Sequence, residues 1–180
     1  SIFTMNLDLS GKYALVCGSS QGIGKATAIE LAGLGANVTL MARNKERLET
    51  AMEALDTSKG QKHSILVADF AKPEQVKKAI EAYIQKEPTI HILINNTGGP
   101  ASGQAIEADA EQFINAFQMH LVSNQYLVQA IVPSMKRVNY GRIINVISTS
   151  VKAPIPNLGV SNTIRGAVAN WGKTLANELG

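Results

Sequence analysis

Short apolar runs alternate with amphipathic stretches along this chain. "YALVC" (13–17) is an apolar run bounded by glycine and predicts a buried strand. A helical pattern follows to about Leu34 and closes at "GLGAN". "NVTLMA" (37–42) predicts a second strand. "NKERLETAMEALD" (44–56) carries apolar residues at helical spacing on a charged background. "HSILVAD" (63–69) predicts a third strand, and "KPEQVKKAIEAYIQK" (72–86) a helix. Its Pro73 falls in the first turn, where a missing N–H costs nothing. "IHILINN" (90–96) and "GRIINVIS" (141–148) predict the fourth and fifth strands. Residues 108–137 read as mostly helical and amphipathic, and 160–178 as a long final helix.

Apolar strands that alternate with helices argue an α/β domain: a doubly wound parallel sheet covered on both faces. No internal repeat, linker or low-complexity segment divides residues 1–180, so one domain is expected. Its last element is a helix with no strand after it, so the sheet is expected to lack its C-terminal strands.

Composition changes this picture little. Of 180 residues, 45% are apolar and 17% charged, an ordinary globular balance. No apolar run reaches the roughly 18 residues of a membrane span, and no membrane partner is expected. The start, "SIFTMNLDLS", lacks the basic and apolar regions of a secretory signal; Met5 is expected as the natural start, after an added Ser1–Thr4. One cysteine, Cys17, excludes an internal disulfide and fits a reducing, cytoplasmic compartment. The net charge is 17 − 14 = +3, from basic residues scattered along helices, so no nucleic-acid partner is expected. His63 and His91 lie on or beside strands without metal-ligand spacing to Cys17, and no metal is expected.

The strongest local signal is a glycine turn. Gly18, Gly22 and Gly24 follow the first strand directly and open a helix, spaced GxxxGxG. Glycine permits the tight turn and the close approach of backbone to phosphate. The helix N-terminus offers free N–H groups and partial positive charge to a pyrophosphate. Ser19, Ser20, Gln21 and Ile23 share the turn, and the first three bring side-chain donors.

"GSSQGIGKATAIELA", "ILINNTGG" and "GRIINVIS", in this order and spacing, resemble the short-chain dehydrogenase/reductase family, in particular its 3-oxoacyl-carrier-protein reductase-like members. The resemblance runs from about Leu7 to Gly180. It implies a Rossmann-type domain that binds NAD(H) or NADP(H) and interconverts a small-molecule alcohol and carbonyl. It also implies a homo-dimer or homo-tetramer built on the two long helices, 108–137 and 160–178. Trp171, Ala167 and Ala169 give the last helix an apolar face for such contacts, or for packing within one subunit. Family members are usually longer than this chain.

The resemblance also places the cofactor. NAD binders tend to follow the second strand with an acid that accepts from the ribose 2′-OH. Here "LMARNKERL" has none before Glu46, and Arg43 and Asn44 sit where a 2′-phosphate would lie. A guanidinium suits a phosphate, so NADP(H) is favoured over NAD(H). Gln21 is neutral where NADP binders of the family often carry a second basic residue, which argues the other way. By resemblance Asp69 and Phe70 flank the adenine, and Asn95, Thr97 and Gly98 line the cofactor. Thr97 stands where the family usually has a small apolar residue.

The family's catalytic set is an Asn, a Ser, a Tyr and a Lys. Ser148 matches the Ser, but His120, Ser161 and Arg165 occupy the other positions, and "SNTIR" replaces YxxxK. Tyr140 and Tyr126 lie elsewhere in the pattern. A positioned general acid is worth about 10²–10⁴-fold. A serine hydroxyl is a far weaker acid than a phenol, and a guanidinium keeps its proton. Proximity of carbonyl and nicotinamide still supplies rate. Two readings therefore stand: an oxidoreductase with an atypical proton-donor site, or a lapsed dinucleotide-binding or scaffold protein of the same fold. His120 either passes a proton through water to Ser148 or Ser161, or is a satisfied helix histidine. "GGPASGQ" (98–104) offers the substrate a wall of small residues.

Overall fold

The central strand is β1 (Tyr13–Cys17). In the computed structural model, which describes residues 5–87 and 89–180, it pairs in parallel with β2 (Asn37–Ala42) and β4 (Ile92–Asn95). β3 (Ser64–Val67) adds outside β2, and β5 (Arg142–Asn145) outside β4. The order is β3-β2-β1-β4-β5, all parallel, as the alternating pattern predicts. Ser1–Thr4, read above as preceding the natural start, lie outside the described residues.

Side-chain alternation along β1 builds two apolar layers. Ala14 and Val16 face α1 (Gly22–Gly33) and α2 (Lys45–Met52). Leu15 and Cys17 face α3 (Pro73–Lys86) and α5 (Ser123–Arg137). Burial on both faces explains why the strands read as continuous apolar runs. Gly24, Ala28 and Ala32 are the buried residues of α1; spaced four apart, they let its backbone lie close to the sheet. Trp171 and Leu175 bring α6 (Gly159–Leu179) onto the second layer, where Trp171 Nε1 donates to Gln125 Oε1 at 2.9 Å.

The expected helix over 108–137 is interrupted. A capping box of Asp109 and Gln112 starts α4 (Ala110–Phe117). A π-helical turn, Gln118–Val122, then joins it to α5. Periodicity does not show a single-turn widening of this kind. The helix expected over 44–56 closes at Met52, and the strand expected over 141–148 ends at Asn145. β5 is also less buried than its apolar run suggests: Ile144 is 52% exposed, because the strand forms an edge of the sheet. Among the described residues no helix is long and apolar enough to cross a membrane.

Polar pins hold the layers in register. His63 Nδ1 accepts from Val38 N at 3.1 Å, and His91 Nδ1 from Tyr13 N at 3.0 Å, so both histidines tie strand starts. Ser19 is fully buried; its Oγ donates to Val16 O at 2.7 Å and accepts from Met41 N at 3.0 Å. Its hydroxyl therefore joins β1 to β2. Ser19→Ala would leave a buried N–H unpaired. The expected cost is about 1–3 kcal/mol in urea unfolding, with an unchanged far-UV spectrum.

Candidate functional site

Chain winding reverses between β1 and β4, and a doubly wound sheet opens its ligand crevice at such a reversal, beyond the C-terminal strand ends. The glycine turn lies there. Gly18 has φ 58° and Gly22 φ 57°, values that favour glycine. A Cβ on Gly18 would also lie 2.4 Å from Asn96 O, and one on Gly24 2.3 Å from Gly18 O. Asn96 Nδ2 donates to Cys17 O at 3.3 Å and Gly18 O at 3.4 Å, which pins the turn to the end of β4. Gln21 is extended at the N-cap of α1 and its side chain makes no cap bond. The first-turn N–H groups thus keep their capacity for an anion. Ser20 is half-buried; Gln21, Gly22 and Ile23 are exposed.

Arg43 and Asn44 are exposed just beyond β2. Asn44 Oδ1 accepts from Arg47 N at 2.9 Å and caps α2. Arg47, which the sequence reading passed over, brings Nη1 to 3.5 Å from Gln21 Oε1 and so adds a guanidinium beside the glycine turn. Its place in the first turn of α2, three residues after the Asn44 cap, was the available signal. Asp69 Oδ1 accepts from Ala71 N at 3.0 Å. Phe70 is 8% exposed and packs in the core with Leu15 and Val76. Its ring serves the sheet layer.

At the end of β4, Asn95 Nδ2 donates to Asn145 Oδ1 at 2.9 Å across to β5. Asn95 Oδ1 is buried without a partner, and Gly98 is exposed. Thr97 is a junction. Its Oγ1 shares a 2.6 Å hydrogen bond with His120 Nδ1, and its carbonyl accepts from Arg165 Nη2 at 3.5 Å. Arg165 Nη1 donates to Val146 O at 3.1 Å. The guanidinium thereby reaches from α6 across the ends of β4 and β5, and burial lowers its pKa.

The π-helical turn delivers His120 to this junction. The residue is 1% exposed, and Asn124 Nδ2 donates to its backbone oxygen at 2.6 Å. Its Nε2 is buried without a hydrogen-bond partner among the described residues. Burial first, then the charge of Arg165, push its pKa down to about 4. The imidazole is neutral at pH 7. Ser148 is half-buried; its Oγ accepts from Ser150 N at 3.1 Å and caps the short 3₁₀ turn Thr149–Val151. Ser161 is half-buried in the first turn of α6, which packs on that 3₁₀ turn.

Among the described residues no phenol joins this group. Tyr126 OH donates to Glu74 Oε1 at 2.8 Å. The Tyr140 ring, before β5 begins, lies under Lys12 Nζ at 4.4 Å and Arg142 Cζ at 4.7 Å. At the strand ends Thr97 thus joins a guanidinium to a neutral imidazole, with Ser148 two residues beyond Val146 and Ser161 one helical turn before Arg165.

The depressed His120 pKa has a stability consequence. The usual value of 6.5 belongs to the unfolded chain, which binds the proton more readily than the folded one. This contribution is complete above about pH 6.5 and is lost as pH falls toward 4, by about 3 kcal/mol. His120→Asn is expected to flatten that fall, read as the difference between urea midpoints at about pH 7 and about pH 4.5.

The "short chain dehydrogenase" family model matches residues 12–180. An uncharacterized oxidoreductase of Schizosaccharomyces pombe is 33% identical over 180 residues, covering 93% of this chain and 52% of its own length. L-Sorbose reductase from Gluconobacter frateurii, solved with NADPH and L-sorbose, superposes with a TM-score of 0.90 at 31% identity, covering 97% of this chain and 66% of that one. An NAD+-bound xylitol dehydrogenase superposes with a TM-score of 0.85 at 29% identity, covering 94% and 65%. The chain spans about half the length of the curated relatives it matches. With its glycine turn, its parallel sheet and this match, the chain belongs to the short-chain dehydrogenase/reductase family.

Proposed function

We propose that the protein is an NADP(H)-dependent oxidoreductase that interconverts a small-molecule carbonyl and alcohol, slowly, with an atypical proton-donor site. The observation that carries this reading is the Arg165–Thr97–His120 chain at the ends of β4 and β5. A lapsed site has no reason to keep a half-buried guanidinium and a half-paired buried imidazole together, since both are costly to remove from water.

When bound, the nicotinamide supplies the hydride. The first turn of α1 receives the pyrophosphate, and Arg43 and Arg47 receive a 2′-phosphate. Arg165 holds fixed positive charge where negative charge develops on the substrate oxygen. Ser148 and Ser161 offer hydroxyl donors to that oxygen. His120, neutral at pH 7, passes a proton through water and holds no store of imidazolium. Without a phenol, turnover is expected about 10²–10⁴-fold below that of a fully equipped site. Exposed Ile114 and Phe117 on α4 support a homo-oligomer built on α4, α5 and α6. A cytoplasmic setting goes with the single cysteine, Cys17.

Arg43→Ala with Arg47→Ala is expected to weaken NADPH binding about tenfold or more and leave NADH binding unchanged, read by nicotinamide fluorescence. Equal affinity for both nucleotides in the unaltered protein would overturn the cofactor preference. The lapsed-scaffold reading draws on Ser161 and Arg165 themselves. NADPH oxidation across a panel of ketones separates the two readings. Measurable turnover that Ser161→Tyr with Arg165→Lys increases supports the enzyme. Zero turnover in both proteins, with NADPH bound normally, supports the scaffold.

A further inference from the structure

An exposed strap links the two candidate serines. From Ser148 the chain passes through the 3₁₀ turn Thr149–Val151 into residues 152–158, and these lead into α6, where Ser161 stands in the first turn. Every residue from Lys152 to Asn157 is exposed, so core packing does not hold the strap. Its sequence also leaves it short of backbone donors. Pro154 and Pro156 have no N–H, and Ile155 is the single donor between them.

That donor and its carbonyl both go to one side chain. Asn162 Nδ2 donates to Ile155 O at 2.9 Å, and Ile155 N donates to Asn162 Oδ1 at 3.4 Å, the longer and weaker of the two. An amide offers an acceptor and a donor side by side, as a neighbouring strand would. The end of the strap is tied to a different loop. Asn157 O accepts from Gly103 N at 2.8 Å, and Gly103 O accepts from Gly159 N at 2.9 Å. Leu158, the N-cap of α6, makes no side-chain cap bond, so Gly103 O serves an N–H that the helix leaves open. A Cβ on Gly159 would lie 2.3 Å from Ala105 N, so strap and loop meet backbone to backbone. Gly103 thus pins the end of the strap and Asn162 its middle. At the other end, Ser148 Oγ accepts from Ser150 N at 3.1 Å, on the turn to which the strap is joined.

We propose that Asn162 is a positioning residue of the candidate site: its amide clasps the strap at Ile155, and through the strap it fixes Ser148 and the Gly103 loop relative to Ser161. The proposal rests on the oxidoreductase reading only where it calls the two serines donors to a substrate; the clasp itself is a matter of local stability.

The test compares Asn162→Ala, Asn162→Asp and Thr163→Ala in the full chain. Alanine is the better helix former, so an effect on α6 alone would tighten its first turn, whereas loss of the clasp frees the strap. In Asn162→Ala, trypsin cleavage after Lys152, read by the mass of the fragment released, is expected about tenfold faster. Amide exchange at Ser150 and Gly103, to either side of the strap, is expected to quicken with it. Asn162→Asp keeps the acceptor but sets a carboxylate against Ile155 O, and is expected to match the alanine variant at pH 7. Thr163→Ala, whose lost hydroxyl bonds Gly159 O and not the strap, is expected to change neither readout. In ketone reduction with NADPH, Asn162→Ala is expected to lower kcat about tenfold or more, with NADPH affinity unchanged. Unchanged or slower cleavage in Asn162→Ala would overturn the clasp. Faster cleavage with unchanged exchange at Ser150, or faster exchange with unchanged kcat, would overturn the positioning role. Zero turnover in the unaltered protein would remove the oxidoreductase reading, and exchange at Ser150 and Gly103 would then decide the proposal alone.

Discussion

Asn96 grips the glycine turn, and the arrangement of the strand ends follows from that contact. Its amide reaches the carbonyls of Cys17 and Gly18, and its own backbone leaves no room for a Cβ at Gly18. Gly24 in turn lies against Gly18 O. Three elements, β1, α1 and β4, are thereby locked at one point. The lock places the N-terminus of α1 at the crevice where winding reverses. Hydrophobic packing gives the sheet its layers, but this contact decides where the first turn of α1 lies.

A second constraint orders the opposite wall. A guanidinium is planar and forked, so one Arg165 side chain reaches carbonyls on two strands at once. A compact ammonium has no such fork. Its charge also acts at a distance, adding to burial in keeping His120 neutral. Thr97 then couples the two through separate atoms, the carbonyl to Arg165 and the hydroxyl to His120. The hydroxyl at 97 and the imidazole at 120 are matched: an alanine at 97 would strip Nδ1 of its partner.

The sheet and the glycine turn were legible because each residue there obeys a local rule. Strand burial writes itself as apolar runs, and the turn as glycines at φ values or close approaches that other residues resist. The exposed position of Arg43 followed from its place after β2. The directions of the Ser19 and Phe70 side chains were not legible, because local spacing does not say which way a side chain turns. Ser19 turned inward to join two strands, and Phe70 joined the core. The pairing of Thr97 with His120 spans 23 residues of sequence. Its cause is tertiary, and no local pattern at 97 or 120 announces it. Asn124 was readable in principle, one helical turn from His120, and Arg47 from its place in the first turn of α2.

The π-helical turn at Gln118–Val122 amounts to a one-residue slip in helical phase. Each residue turns an α-helix by about 100°, so an inserted one rotates everything after it by that angle relative to everything before. On one side of the slip, Ala116 packs with Val160 and Ile164 of α6. On the other, Leu127 and Ile131 pack into the sheet layer. One rod of helix thus serves two neighbours that an unbroken stripe would not face together. The rotation is taken up at the residue whose side chain meets Thr97, so the adjustment that lets the helix cover two surfaces is the same one that brings an imidazole to the strand ends.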